Sequence, residues 1–233
     1  TIDIQKGIIE EYKVDMVKYA RSEDKPRIRE CFESIPLQLA KDNKKFQYSF
    51  IKKKSTGKDY LGSIQWIEDA GIIKRCYNMS LLELPLEGYK MQEHFKIYLS
   101  DIGLLTAMLE NGTKENILNG NLGIYKGAIY ENLFADFMIK NSKKLYYYTK
   151  KSGLEIDFII RYKNELTLLE VKANTGNSKS LKTVLSDNEH YNVQKAIKFG
   201  NYNIGENGKI STDLVEGSPR IDANVAALED ELI

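Results

Sequence analysis

The stretch "GLEIDFIIRYKNELTLLEVKANTG", residues 153–176, constrains the fold more than any other part of the chain. Two apolar runs rich in strand-forming residues flank Lys163-Asn164, the pattern of a β-hairpin. Asn accepts the left-handed backbone that a two-residue turn requires. That turn pairs Tyr162 with Glu165. Counting back, Asp157 falls opposite Glu170 and Glu155 opposite Lys172. Residues two apart on a strand share a face. Phe158, Ile160, Leu169, Val171 and Ala173 are therefore expected to form the core face. Asp157, Ile159 and Arg161 lie on the other face, with Leu168, Glu170 and Lys172.

Opposed carboxylates on neighbouring strands destabilise a sheet by up to about 1 kcal/mol. A divalent cation between them removes that cost, and Mg²⁺ or Mn²⁺ is content with one or two carboxylates plus water. A lysine beside them can orient a water or stabilise charge developing on a phosphate. An acid, then acid-x-lysine on the next strand, is a constellation for metal-assisted phosphodiester hydrolysis. The same pattern also fits an edge hairpin with a solvated polar face, on which Glu155 and Lys172 form a cross-strand ion pair.

Upstream, residues 3–20 have helical apolar spacing. A second helix follows Ser22 or Asp24, with Pro26 in its first turn, Ile28, Cys31, Phe32 and Ile35 on its face, and Pro36 ending it. A third runs from Ser55 or Thr56 to Ala70 with Tyr60, Leu61, Ile64, Trp66 and Ile67 apolar, and Gly71 stops it. Strands at 72–79 and 94–100 complete the order of a winged helix-turn-helix, in which the helix at 56–70 takes the recognition position. Lys52, Lys53, Lys54 and Lys58 cluster at its entry, as DNA-phosphate contacts or as a solvated face. Further on, Asp101 caps a helix ending at Gly112, and an apolar helix covers 125–140. A strand carries Tyr146, Tyr147 and Tyr148, alternate ones facing the core. The hairpin is followed by a helix, a strand and a polar loop at 201–207. Lys143, Lys144, Lys150 and Lys151 flank the tyrosine strand and could line a nucleic-acid groove. His190 lies beyond the hairpin, exposed by default.

Composition narrows the classes. The 233 residues carry a net charge of +1, so nucleic-acid binding must rest on local patches. Two histidines exclude a histidine-rich metal site. Two distant cysteines, Cys31 and Cys76, read as reduced thiols of a cytoplasmic protein. No apolar run approaches about 18 residues, so no membrane span is expected, and no signal peptide is evident. Opening on Thr1 in a helical pattern suggests a fragment. The segment 212–233 is acidic and reads as a separate tail, either appended or partner-binding.

"YENLFADF", "GLEIDFII" and "LLEVKANT" together resemble the PD-(D/E)XK superfamily, the restriction-endonuclease-like fold. By that resemblance Glu131 matches the helix glutamate, Asp157 the metal-binding aspartate, and Glu170 and Lys172 the Glu-x-Lys pair. With "KKFQYSFI", "WIEDAGIIKRCYN" and "FKIYLSDIGLL", in order, residues 3–211 resemble the C-terminal half of prokaryotic AAA-type ATPases, which bears domain of unknown function 4143. The resemblance implies an ATPase domain of the same protein as partner. No G-x-x-x-x-G-K-[ST] occurs, and "STGKD" at 55–59 departs from it at both ends, so no ATP site is expected here.

The expected fold is α/β: a helical, winged-helix-like region at 1–93, then a nuclease-like α/β domain at 94–211 with a central mixed sheet. The expected site is Glu131, Asp157 and Glu170 holding Mg²⁺ or Mn²⁺, with Lys172 catalytic. Lys52, Lys53, Lys54, Lys58, Lys150 and Lys151 are the expected DNA contacts. Two alternatives remain: a non-catalytic DNA- or protein-binding regulatory module of the ATPase, and a winged-helix DNA-binding protein whose second domain supports a homo-oligomer.

Overall fold

A computed structural model describes residues 2–21, 24–41, 44–109, 112, 115–116, 119, 123–173, 177–200 and 205–214. The Ser22 cap, most of the segment around Gly112, the loop at 201–204 and the tail from 215 lie outside these residues. The chain folds into two compact units that interleave in sequence. One is Thr1–Arg75 with Glu93–Asp136, the other Cys76–Gln92 with Phe137–Ile233. The chain crosses between them after Arg75, after Gln92 and after Asp136.

The first unit is mainly helical: α1 (Ile2–Tyr19), α2 (Lys25–Leu39), α3 (Gly57–Asp69), α4 (Ile102–Met108) and most of α5 (Lys126–Lys140). α2 buries a stripe at three- and four-residue spacing, Ile28, Cys31, Phe32, Ile35 and Leu39. Pro36 does not end α2 as expected but sits inside it. Its ring holds a helical φ, so the helix runs on to Leu39 at the loss of the one N–H that would have donated to the Phe32 carbonyl. The α3 apolar face is one position narrower than expected, because Leu61 is 45% exposed. The Asp59 carboxylate accepts the Thr56 backbone N–H at 2.8 Å and its hydroxyl at 2.9 Å, which closes the first turn. Gly71, at φ +75°, ends α3 as expected. Asp101 caps α4 through the Gly103 N–H at 2.6 Å.

β1 (Ile73–Met79) and β2 (Lys90–Leu99) pass from one unit to the other. With β3 (Tyr146–Thr149), β4 (Glu155–Tyr162), β5 (Glu165–Val171), β6 (Lys195–Gly200), β7 (Gly205–Asn207) and β8 (Ile210–Leu214) they make an eight-stranded mixed sheet. Its order is β2-β1-β3-β4-β5-β6-β8-β7. β4 pairs antiparallel with β3 and β5, whereas β5, β6 and β8 are mutually parallel. The β5–β6 crossover contains α6 (Lys179–Ser186), as a parallel connection requires. Residues 205–207, expected as loop, form the edge strand β7, and β8 carries the sheet to Leu214, past the start expected for the tail.

The hairpin β4–β5 is central, not an edge. Both its faces are buried: Phe158 and Leu169 on one, Ile159 and Leu168 on the other. The expectation of a single core face therefore fails, because strands covered on both sides read as nearly continuous apolar runs. All three tyrosines of β3 are buried rather than alternate ones. Ile156, Ile159, Leu168 and Ala196 pack with Leu181 and Val184 of α6 in one apolar cluster.

Candidate active site

The site begins at the hairpin turn. Lys163 (φ 49°) and Asn164 (φ 61°) are both left-handed, so the turn is of the primed type and sets the expected register. Tyr162 pairs with Glu165, and the ladder runs back to Phe158 opposite Leu169. The next residue of β4, Asp157, reaches β5 at Val171. There the ladder changes character. Tyr146 pairs with Ile159 but Tyr148 with Ile156, so Asp157 and Phe158 together span Tyr147. This is a β-bulge, a device that re-aims a side chain and strengthens local twist. It explains why Ile156 joins Ile159 in one cluster despite odd spacing. At the bulge the Asp157 side chain takes over from the ladder: Oδ2 accepts the Val171 N–H at 2.8 Å.

Glu170 and Asp157 are 4% and 7% exposed. Carboxylates are rarely so buried without compensating partners. Lys172 Nζ lies 2.5 Å from Glu170 Oε1, reaching back two residues along its strand. On the other side of Glu170, the parallel β5–β6 register sets Lys198 as its direct neighbour. Sequence reading did not single out Lys198. Its place beside Glu170 depends on a crossover through α6, and no local spacing signals that. Asp157, Glu170 and Lys172 thus come together at one end of the sheet. The β3–β4 turn with the exposed Lys150 and Lys151 joins β4 at that same end. Lys150 Nζ donates to the Tyr191 hydroxyl at 2.6 Å and lies 4.8 Å from that ring's centroid. Lys144, also considered for a nucleic-acid groove, pairs with Glu87 at 2.9 Å. His190 is exposed and contacts Asp187 at 2.8 Å.

Glu131 belongs to the other unit. It sits on α5, 6% exposed, inside a basic pocket. Its Oε1 meets Lys44 Nζ at 2.5 Å. Its Oε2 accepts the Tyr98 hydroxyl at 3.0 Å, with Lys96 Nζ at 3.9 Å. Burial alone would raise its pKa, but Lys96, Lys44 and the hydrogen bonds from Lys44 and Tyr98 outweigh burial and lower it. Lys44, Lys96 and Tyr98 were not anticipated as its partners. Lys52, Lys53, Lys54 and Lys58 are exposed before and within the first turn of α3. Among the described residues no group of three or more His, Cys, Asp and Glu side chains gathers to hold a metal ion. A cavity of about 450 Å³ in the second unit lies at the turn end of the hairpin, bordered by Leu82, Asn164 and Gln194, away from the acids.

Two family models match successive stretches of the chain, with bounds that differ from those of the two compact units. Residues 126–214 match the family model of a domain of unknown function, DUF4143. Residues 1–115 match another domain of unknown function, DUF8612. No curated protein and no solved structure matches the chain.

Proposed function

We propose that the C-terminal domain is a restriction-endonuclease-like, metal-dependent phosphodiester hydrolase that serves an AAA-type ATPase on DNA. One observation carries the reading: two buried carboxylates, Asp157 and Glu170, stand on adjacent central strands with the Lys172 ammonium on Glu170. Hard oxygen donors of this kind fit Mg²⁺ or Mn²⁺, which binds through one or two carboxylates and keeps its other waters. A carboxylate accepts several bonds, so the contacts to Val171 and Lys172 are compatible with that role. Glu131 is left out of the ligand set, since Lys44 and Tyr98 already engage its two oxygens. The ion would supply Lewis acidity and an activated water. Val171 N–H holds the Asp157 carboxylate in place. Lys172 orients the water or stabilises charge developing on the phosphate.

The engagement of Glu131, with no three-residue metal group among the described residues, favours a second reading. In it the domain is a DNA- or protein-binding regulatory module that retains the fold without the chemistry. Mn²⁺ calorimetry with a plasmid-nicking assay separates the two. The variants are Asp157→Asn, which keeps an acceptor for Val171 N–H, and Glu170→Gln. Binding and nicking by the parent, both lost in the double variant, is the expected result. No Mn²⁺ binding by the parent, with the double variant as heat-stable or more so, would leave the regulatory module.

A further inference from the structure

We propose that the N-terminus of α6 binds a phosphate group of the nucleic-acid backbone beside the candidate active site. The inference deepens the hydrolase reading and rests on it for the nature of the substrate. α6 begins at Lys179, and its first helical bond runs from the Lys182 N–H to the Ser178 carbonyl at 3.1 Å. The N–H groups of Lys179, Ser180 and Leu181 precede that bond and so have no partner within the helix. They stand at the positive end of the helix dipole, an arrangement that favours anions.

A side chain ordinarily closes such a helix start, and here none does. Ser178 holds the N-cap position without a capping bond. Its backbone (φ −99°, ψ 72°) falls short of the extended region in which an N-cap oxygen closes on the first turn. Ser178 is nevertheless only 4% exposed, and its Oγ has no hydrogen-bond partner among the described residues. A desolvated hydroxyl left this way is destabilising until something accepts from it. The charges make the same point. The first turn carries no acid, but Lys179 and Lys182 lie three apart on it, both exposed. Lysines there oppose the dipole of the free helix. A bound phosphate reverses both effects: it complements the dipole, pairs with the ammoniums and accepts from the Ser178 hydroxyl.

Place decides which phosphate. Ser180 Oγ accepts the Glu155 N–H at 3.1 Å, which ties the first turn of α6 to the start of β4, two residues before Asp157. β5 ends at Val171, one residue after Glu170, and Asp157 bonds that same Val171. A strand presented to the two acids thus carries its neighbouring phosphates toward α6. Contacts of this kind position a nucleic acid without reading its sequence.

The test is anisotropy of a labelled duplex DNA against the full chain across a salt series, in EDTA so that no metal contributes. The proteins are the parent, Ser178→Asp, and the pair Lys179→Gln, Lys182→Gln. Thermal unfolding of each is followed in chloride and in inorganic phosphate at equal ionic strength. Ser178→Asp puts a permanent carboxylate where the phosphate would sit. It should weaken duplex binding about tenfold and flatten the log K against log salt slope by about 0.9, yet raise the thermal midpoint in chloride. Damage to the fold would lower affinity and midpoint together. The lysine pair should weaken duplex binding to a similar extent with the midpoint unchanged or higher. Inorganic phosphate should raise the midpoint of the parent more than that of Ser178→Asp. Duplex binding that neither variant changes overturns the proposal, as does a lower midpoint in Ser178→Asp or a parent that binds no duplex. Phosphate stabilisation confined to the parent, with duplex binding unmoved by the variants, makes this a site for free phosphate and overturns the nucleic-acid assignment. A parent whose duplex binding depends on Ser178 and the two lysines but which never nicks DNA in Mn²⁺ sinks the hydrolase reading and leaves this one standing.

Discussion

Glu131 and Asp157 are both buried acids, yet their surroundings differ in kind. Asp157 meets a backbone N–H, whereas Glu131 meets two ammoniums and a phenol. For Glu131 this predicts a specific acid sensitivity. Its folded pKa lies below its ordinary value of 4.5. A depressed carboxyl stabilises the fold fully above the unfolded pKa and loses that contribution as pH falls through the folded one. Glu131→Gln should cost about 3 kcal/mol at neutral pH, since it leaves two ammoniums in a dry pocket. Below pH 4.5 the gap between parent and variant should narrow. Urea unfolding at pH 7 and at successively lower pH checks this; parallel acid limbs would deny Glu131 the ion-pairing role. At this scale the sequence was partly legible. Glu131, Asp157, Glu170 and Lys172 could each be named, but Lys44, Lys96 and Lys198 could not, because they are neighbours only in space.

At the scale of elements, β5 shows what strand pattern reveals and what it hides. The turn and register were readable because a two-residue turn leaves little choice of pairing. The bulge in β4 was not, since nothing in "EIDFII" marks the extra residue opposite Tyr147. Burial on both faces was likewise hidden, and it creates a testable flaw. Thr167 in mid-β5 is fully buried, and its hydroxyl has no hydrogen-bond partner among the described residues. Valine has the same branched shape without the polar atom and favours strands. Thr167→Val should raise stability by about 1 kcal/mol, because a desolvated hydroxyl is removed at no loss of packing. The expected readout is a higher urea midpoint with an unchanged slope. A lower midpoint would mean that the hydroxyl is satisfied.

For the whole molecule, a net charge of +1 offers no long-range field, so any binding of nucleic acid must rest on local charge. Among the described residues no helix is long and apolar enough to cross a membrane. If Asp157 and Glu170 hold a cation, ligand binding must stabilise the fold. Mn²⁺ at about 100 times its Kd should add about 2.7 kcal/mol. Thermal unfolding with increasing Mn²⁺ should therefore move to higher temperature in the parent and stay put in the Asp157→Asn, Glu170→Gln double variant. An equal shift in both would place the ion elsewhere.

Local sequence signals were enough to locate most of the helices, the hairpin turn and its register back to Phe158, and to put Glu170 and Lys172 two apart at one strand end. These depend on periodicity, capping and turn geometry, all of which act over a few residues. Only the tertiary structure decided that the hairpin is central and buried, that the chain interleaves two units, and that Lys198 stands beside Glu170 while Glu131 is held by Lys44 and Lys96. Those facts come from contacts between residues far apart in the chain. Such contacts form only when loop closure is repaid by burial of the joined surfaces, a balance that no local window of sequence contains.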